Sequence, residues 1–273
     1  MLADIRGFIR RNRRNAAMRA LASGCEKYLR AYFNEGFWIF EENGEGFVMR
    51  RFAAHCASRP CIVWDVGANK GSWAETCHMM LPQARITSFE IVPAMCDILE
   101  AKAASEAWWA VERTGLSSAP GMVDVTFNRD KDTTSSIVPD GPDDRHATAR
   151  TERITCPVTT LDDYWKASGA APTFLKIDVE GFDGEVLRGG SALLSSPEAP
   201  PLIQFEYGST WLLMERLLGP VQRLLETAGY AVGRVFPDHV AFKRYEPVDE
   251  HFRMGNMVAV RDEALRALLA NGG

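Results

Sequence analysis

Residues 61–71 constrain the fold of this chain more than any other stretch. An apolar run over 61–64 is followed at once by Asp65 and then by Gly67 and Gly71. The run does not alternate apolar with polar residues, which is typical of a parallel strand covered by helices on both faces. Glycines after such a strand let the backbone approach a ligand, and the N-terminal amides of a helix predicted over 72–81 would face the same loop. The segment therefore predicts an α/β fold with a ligand loop at the end of a buried strand.

Length and composition are those of an ordinary globular protein. The chain has 273 residues, 46% of them hydrophobic, which suffices for one large domain with an appendage. A formal net charge of -5 argues against a nucleic-acid partner, because polyanion-binding proteins carry a basic footprint. The six cysteines form no C-x-x-C pair, which favours unpaired thiols in a reducing compartment. Since we find neither a membrane-spanning run nor a secretory core, we expect a soluble, cytoplasmic protein.

The first 30 residues differ from the rest in charge. They contain eight Lys or Arg against two acids, a net charge of +6, so the remainder is acidic. Apolar residues from Leu2 to Leu29 are spaced as a loose helical stripe. Two interpretations stay open. The segment is a basic helix that contacts an anionic membrane surface, a polyanion or a partner subunit such as a second copy, or it is a solvated or packing helix.

Strand and helix patterns alternate along the rest of the chain, which predicts a doubly wound, mostly parallel sheet of seven strands. We interpret residues 1–58 as a helical or hairpin appendage, acting as a lid or oligomer contact, and 59–273 as the main domain. Within the appendage, the aromatic runs of 32–52 are broken by Asn43-Gly44 and indicate a hairpin, or a turn before a helix. The predicted parallel strands are 61–66, 85–90, 108–113, 172–181 and 202–206, followed by an antiparallel pair around 231–236 and 239–244, with 257–260 as a further candidate. The predicted helices are 72–81, 94–105, 160–167, 184–194, 210–228 and 261–270.

Two segments depart from this rhythm. Residues 122–127 alternate apolar and polar positions and predict an antiparallel strand, whereas the polar stretch 128–153 predicts a long loop that covers a site. Later, Lys176, Asp178 and Glu180 alternate with apolar residues, so their side chains are predicted to share one face of a strand.

Carboxylates follow several of the predicted strands, and they indicate the kind of ligand. Asp65, Glu90, Asp178 with Glu180, and Glu206 stand at strand ends, where doubly wound sheets bind their ligands. A dinucleotide loop would read G-x-G-x-x-G, but Asn69 stands where the second glycine belongs, and Asp65 would repel a pyrophosphate. A cationic nucleoside such as S-adenosylmethionine fits better, with Glu90 holding its ribose hydroxyls. The candidate cofactor-binding residues are Asp65, Gly67, Asn69, Gly71, Glu90, Ile91, Gly115, Leu116 and Asp178.

Three motifs, in this order, resemble the FkbM family of S-adenosylmethionine-dependent methyltransferases. They are Asp65-Val-Gly-Ala-Asn-Lys-Gly71, Phe89-Glu90-Ile-Val-Pro93 and Leu175-Lys-Ile-Asp-Val-Glu-Gly181, and the resemblance covers about residues 30–260. One departure is that the family more often has proline directly after the acid at position 90. The resemblance implies the Rossmann-like class I methyltransferase fold and methyl transfer to a hydroxyl of a sugar, glycan, polyketide or related secondary metabolite. The first 30 residues lie outside it.

An alcohol is a poor nucleophile until its proton leaves, so a base or a metal must help. The catalytic candidates are Asp178, Glu180, Lys176 and Glu206. We expect Asp178 or Glu180 to be the base and Lys176 to pair with one of them, while an ion network that fixes the Gly181 turn stays open as a structural alternative. Three roles stay open for Glu206: it positions the acceptor, binds the cofactor's ammonium indirectly, or joins a carboxylate pair around Mg²⁺. His146 and His239 are weaker candidates, and no ligand spacing demands a metal, so none is assigned. The rival functions are a nucleotide-dependent oxidoreductase and a non-catalytic S-adenosylmethionine-binding module.

Overall fold

The structure is a computed structural model that describes residues 2–36, 39–57, 59–128 and 151–271. Most of the predicted 128–153 loop, with His146, lies outside these residues. The helices are α1 (Leu2–Asn12), α2 (Ala16–Tyr32), α3 (Glu45–Cys56), α4 (Ser72–Met80), α5 (Pro93–Ala103), α6 (Leu161–Ser168), α7 (Asp183–Arg188), α8 (Ser191–Ser195), α9 (Ser209–Leu213), α10 (Leu218–Thr227) and α11 (Glu263–Ala270). The strands are β1 (Cys61–Val66), β2 (Ala84–Phe89), β3 (Trp109–Glu112), β4 (Gly115–Leu116), β5 (Gly121–Asn128), β6 (Thr151–Thr159), β7 (Phe174–Ile177), β8 (Leu202–Tyr207), β9 (Ala231–Val235), β10 (Val240–Phe242) and β11 (Gly255–Val260).

The main sheet has the order β3-β2-β1-β7-β8-β11-β9-β10 within the described residues. Strands β3 through β8 in this order pair in parallel, whereas β11 is antiparallel to both β8 and β9. The predicted doubly wound, mostly parallel sheet is therefore confirmed. It has eight strands rather than seven, because the further candidate over 257–260 also forms a strand, β11, which lies between β8 and β9. Since β2 and β7 flank β1 on opposite sides, a crevice forms at the carboxyl ends of β1 and β7.

The sheet is covered on both faces, as the unbroken apolar run of β1 predicts. Val63 belongs to a core shared with α3, α4 and α11, whereas its neighbour Trp64 belongs to the core on the opposite face. Both side chains are almost fully buried, at 0% and 2% exposure. Burial of this extent contributes about 1.5–3 kcal/mol for each large apolar side chain. The end of β1 is therefore fixed from both sides, and the loop that follows it starts from a rigid point.

A small second sheet, in the order β4-β6-β5, follows β3, and two of its strands, β4 and β6, were not predicted from the sequence. β5 pairs antiparallel with β6 over its whole length, from Gly121 opposite Val158 to Asn128 opposite Thr151. The antiparallel strand predicted over 122–127 is confirmed, but residues 151–153 start β6 instead of ending a loop. The signal for β6 was the alternation of Ile154, Cys156 and Val158, which face inward between exposed neighbours.

The charged residues after β7 do not share one face of a strand, contrary to the prediction. β7 ends at Ile177, so Asp178 and Glu180 belong to the turn that follows it. Glu180 has a φ of 53° and Gly181 a φ of 102°, a left-handed conformation that no strand contains. Only Lys176 lies within the strand. The turn re-aims the two carboxylates, which lets both reach the crevice.

Three other predicted elements are divided or replaced. The helix predicted over 184–194 is two helices, α7 and α8, interrupted where a Cβ on Gly189 would lie 2.0 Å from the Ser117 carbonyl oxygen. The helix predicted over 210–228 is also two, α9 and α10, separated by Glu215 with a φ of 53°. Of the two interpretations of 32–52, the turn before a helix is correct and the hairpin is wrong, since Asn43-Gly44 leads directly into α3. Close packing and single left-handed residues cause these breaks, and neither leaves a clear periodic signal.

The basic N-terminal segment forms α1 and α2. No residue of α2 is buried within the described part of the chain, and Phe8, Leu21 and Tyr28 are each more than half exposed. Contact with a membrane surface, a polyanion or a second copy stays a prediction. Among the described residues, we find no helix whose length and apolar character would let it cross a bilayer.

Candidate functional site

The loop after β1 lies directly against the turn after β7. Gly67 has a φ of 83°, and a Cβ placed on it would lie 1.9 Å from the carbonyl oxygen of Asp178. The backbone N–H groups of Gly67 and Ala68 both donate to the carbonyl oxygen of Phe89 at the end of β2. Only glycine allows this approach. Three strand ends are thus joined by backbone contacts into one surface.

Gly71 and the Gly115-Leu116 pair lie next to this surface but do not line the large cleft. Gly71 precedes α4 with a φ of 81°, and a Cβ there would lie 2.6 Å from the Trp109 ring. Gly115 and Leu116 form β4 and line a small cavity of about 30 Å³ next to Glu90 and Ile91. These predicted cofactor-binding residues therefore lie outside the large cleft described below.

Glu90 ties the loop to the end of β2. One carboxylate oxygen, Oε2, accepts from the Asn69 N–H at 2.7 Å, and Oε1 accepts from the N–H groups of Ile91 and Val92 at 2.8 Å each. Burial raises the pKa of this carboxyl, and the three N–H donors oppose that rise. The side chain is 7% exposed and lines the cleft. Its remaining lone pairs are available to hydroxyl groups of a ligand.

Asp65 stands at the end of β1 but lines neither of the two cavities described below, and its direct contact with the cofactor stays a prediction. Its side chain is 0% exposed, and its Oδ1 lies 3.2 Å from the Nζ atom of Lys176, which lies 3.5 Å from Asp178 Oδ2. Burial disfavours the charge on Lys176, but the carboxylates of Asp65 and Asp178 raise its pKa above the ordinary lysine value. Removing one partner of such a buried ion pair strongly destabilises the folded protein, because the other charge is left buried without compensation. Asp65 thus acts on the site through Lys176.

These elements enclose a cleft of about 460 Å³, which we name the donor cleft. Its walls include Gly67, Asn69, Trp73, Glu90, Ile91, Lys176, Asp178 and Glu180. The volume suits a nucleoside-sized ligand, and the Gly67 cradle would be filled by any larger residue. The carboxylate of Glu90 suits ribose hydroxyls, and the acidic turn suits a cationic centre. The donor set therefore fits S-adenosylmethionine.

A second cavity of about 250 Å³ adjoins the donor cleft, and we name it the acidic chamber. The two cavities share Asn69, Asp178 and Glu180. The chamber also contains Asn34, Asn43, Glu45, Glu206 and Asn256. Glu45, in the first turn of α3, was missed as a site residue, although the Asn43-Gly44-Glu45 turn marked the start of that helix. Of the four predicted catalytic residues, Asp178, Glu180 and Glu206 line the chamber, and Lys176 lines the cleft beside it.

Burial raises the pKa of several carboxyl groups in and beside the chamber. Burial, and then the charge of Asp178, raises the pKa of Glu180 to about 7. The same two causes raise the pKa of Asp183 to about 8. Asp183 is fully buried and was not predicted; its Oδ1 accepts from the Glu206 N–H at 3.0 Å and its Oδ2 from the Gly181 N–H at 3.3 Å. Burial and the neighbouring acids also raise the pKa of Glu206. At neutral pH the chamber holds an incompletely ionised group of acids.

These raised pKa values predict that the ligand-free protein loses stability as the pH rises. In the folded state the pKa of Glu180 is about 7 and that of Asp183 about 8, against ordinary values of 4.5 and 3.8. The folded state therefore binds more protons than the unfolded state in this window, so the free energy of unfolding falls as pH rises through it. Urea unfolding in a series of buffers from about pH 5 to about pH 8 measures the slope.

Replacing Glu180 with Gln should flatten that slope, because one of the two groups no longer titrates. Glu215→Gln is the matched control, since Glu215 has the same φ of 53° and is exposed. The control should keep the wild-type slope. A free energy of unfolding that increases over this pH range would contradict the assignment of these groups.

Histidines and metal ligands contribute nothing further to this site among the described residues. His239 is exposed, bonded to Asp238, and lines neither cavity. Within the described ranges, no group of three or more His, Cys, Asp or Glu is placed to hold a metal ion.

Comparison with known proteins identifies the family. The sequence profile described as "Methyltransferase FkbM domain" matches residues 65–232, more than half of the chain and all three motifs. No curated protein matches. Solved structures that resemble the fold include a precorrin-6y C5,15-methyltransferase from Geobacter metallireducens (13% identity, TM-score 0.39, 78% of this chain and 87% of that chain). Others are a ribosomal protein L11 methylase from Lactobacillus delbrueckii subsp. bulgaricus (11%, 0.40, 81% and 79%) and Aeropyrum pernix fibrillarin with bound S-adenosyl-L-methionine (12%, 0.41, 86% and 74%).

The matched range begins at Asp65 and includes Gly67, Glu90 and the turn after β7. The chain belongs to the FkbM family of S-adenosylmethionine-dependent methyltransferases.

Proposed function

We propose that the protein transfers a methyl group to a hydroxyl of a sugar, glycan, polyketide or related secondary metabolite. The observation that carries this proposal is the pair of adjoining cavities, because Asp178 and Glu180 line both of them. A group bound in the donor cleft and a group bound in the acidic chamber would meet at these two carboxylates. Bound S-adenosylmethionine would supply an electrophilic methyl group, held by Glu90, Asn69 and the Gly67 loop.

Glu180 is the residue we propose as general base. An acceptor hydroxyl must lose its proton as it attacks, and a base works best when its pKa lies near the working pH. The pKa of Glu180 is raised to about 7, first by burial and then by Asp178. The side chain of Asp178 is more exposed, at 43%, and its charge contributes to the raised pKa of Glu180. Asp178 also lines both cavities. The alternative is that these acids only hold the Gly181 turn, in which case Glu180→Gln would weaken donor binding and turnover equally.

Lys176 is proposed to position the base pair rather than to react. Its ammonium lies between Asp65 and Asp178, and 5.4 Å from the centroid of the Trp73 ring. These contacts fix the Asp178 carboxylate relative to the cleft floor.

Residues 1–58 are proposed to act as an appendage that completes the acceptor side of the site. The support for this is that Asn34, Asn43 and Glu45 belong to that segment and line the acidic chamber. We also propose a cytoplasmic location, supported by the six cysteines, all of which are described and unpaired.

Substituting Glu90 tests the cofactor assignment. Glu90→Ala removes the ribose partner and leaves the N–H groups of Asn69, Ile91 and Val92 without their acceptor. We expect the affinity for S-adenosylmethionine, measured by calorimetry, to fall about 10- to 100-fold. Glu112→Ala is the matched control, because Glu112 ends the neighbouring strand opposite Phe89 but lines neither cavity. Equal affinities for the wild type and Glu90→Ala would rule out this role for Glu90.

A further inference from the structure

The acidic chamber offers a ligand hydrogen-bond acceptors and few donors. The Nδ2 group of Asn34 donates to the carbonyl oxygens of Asn43 and Val235 at 2.9 and 3.2 Å. The Nδ2 groups of Asn43 and Asn256 both donate to Oε1 of Glu45, at 2.7 and 3.3 Å. Asn34 therefore uses both of its amide hydrogens within the protein, and Asn43 and Asn256 each use one. The carboxylates of Glu45, Asp178, Glu180 and Glu206 line the same space. A ligand must bring donors of its own.

The charge of the chamber is of one sign. Its described lining contains Glu45, Asp178, Glu180 and Glu206, and no Lys, Arg or His. The nearest ammonium, that of Lys176, is held by Asp65 and Asp178 and lines the donor cleft instead. Two of the four acids, Glu45 and Glu206, line the chamber but not the donor cleft. Glu45 and Glu206 can therefore contact the acceptor alone, whereas Asp178 and Glu180 also line the cavity of the methyl donor.

Glu206 is the most telling of these groups. It stands on β8, its side chain is mostly buried, and no hydrogen bond or ion pair to its carboxyl exists among the described residues. Burial and the neighbouring acids favour the protonated form of this carboxyl, and a bound cation would favour its ionised form. A metal ion does not suit the position, because no group of acids within the described ranges has metal-ligand spacing. A larger organic cation with several donors fits the shape and the charge.

We infer that the acceptor carries an ammonium group next to the hydroxyl that is methylated, as in an amino sugar, and that Glu206 and Glu45 bind this ammonium. The inference rests on the proposed function and names its substrate class. Hydroxyl and ammonium groups donate to the free carboxylate oxygens, whereas a phosphate or carboxylate substituent would be repelled. The chamber thus selects amino-bearing acceptors over neutral ones and excludes anionic ones.

Three hexoses that differ mainly in charge test this selection: glucosamine, glucose and glucuronate. Each is titrated at neutral pH into the full-length protein saturated with S-adenosylhomocysteine, and binding is followed by calorimetry. We expect glucosamine to bind at least about tenfold more tightly than glucose, which corresponds to one good charge contact, and glucuronate not to saturate. Glu206→Gln keeps the shape of the side chain and should reduce the glucosamine preference to less than about threefold.

Glu263→Gln is the control for net charge, because Glu263 lies on α11 with 86% of its side chain exposed. It should keep the wild-type preference. Glucosamine that binds no more tightly than glucose, or a preference that survives Glu206→Gln, overturns the inference. The titration with S-adenosylhomocysteine is done first, because it distinguishes a failure of the proposed function from a failure of the proposed substrate class. If it does not bind, the proposed function fails; if it binds and the glucosamine preference is absent, only the substrate class is wrong.

Discussion

Gly67→Ala should abolish binding of S-adenosylmethionine at concentrations that saturate the wild type. A Cβ at this position would lie 1.9 Å from the carbonyl oxygen of Asp178 and 3.0 Å from a methyl group of Val179. The loop after β1 and the turn after β7 cannot both keep their places, and the left-handed φ of 83° adds strain. We expect a loss of about 2–5 kcal/mol in the free energy of unfolding, and at least a hundredfold lower affinity, about 2.7 kcal/mol, because the cleft floor moves.

Gly169→Ala separates the clash from the backbone strain. Gly169 caps α6 with a φ of 68°, and a Cβ there would meet no atom within 4 Å. This variant should lose only about 1–2 kcal/mol of stability and keep its affinity for S-adenosylmethionine. Urea unfolding and calorimetry on both variants make the comparison. If Gly67→Ala behaved like Gly169→Ala, the close contact between the two loops would not be essential.

Glu180→Gln should lower turnover about 10²- to 10⁴-fold, the usual contribution of a general base. Affinity for the methyl donor should change little, because the proposed ribose contact belongs to Glu90, which follows β2 and not β7. In the wild type, the turnover number should rise with pH through about 7, where Glu180 loses its proton, and fall away below it. Glu180→Gln should lack this limb of the profile. Labelled methyl transfer to a working acceptor, measured across pH, gives both results.

Glu215→Gln controls for the same substitution at the same backbone conformation. Glu215 also has a φ of 53°, but it is exposed and lines neither cavity. Its turnover and pH profile should match those of the wild type. If Glu180→Gln reduced donor affinity and turnover by the same factor, the acids would be holding the turn and not acting on the acceptor.

The donor side of the site was predictable because each of its parts is local in the sequence. The apolar run before Asp65 marks a strand buried on both faces, and Gly67 and Glu90 each stand immediately after a strand. Parallel strands bring such positions to one edge without any knowledge of side-chain packing. The same reasoning placed Asp65 at the right strand end but did not predict its contact with Lys176. Whether a strand-end acid faces the ligand or the protein depends on its partner, here Lys176 on a strand distant in sequence.

The acceptor side was not predictable in the same way. Glu45 and Asn256 meet at 3.3 Å although they are 211 positions apart, and no periodic pattern links them. The directions of Asp178 and Glu180 depend on a turn in which Glu180 adopts a positive φ, which few residues other than glycine do. Alternation suggested a strand there, and the left-handed residue ended it. Both the contact between Glu45 and Asn256 and the turn that directs Asp178 and Glu180 depend on tertiary structure. Neither could therefore be predicted from a local sequence pattern.

A crystal structure of the protein with S-adenosylhomocysteine tests the central claim most directly. The account predicts that the ribose hydroxyls lie within hydrogen-bond distance of Glu90, and that the sulfur lies where the donor cleft meets the acidic chamber, beside Asp178 and Glu180. A ligand bound elsewhere, for example in the separate cavity of about 310 Å³ next to Phe33 and Arg234, or a ribose without contact to Glu90, would contradict it.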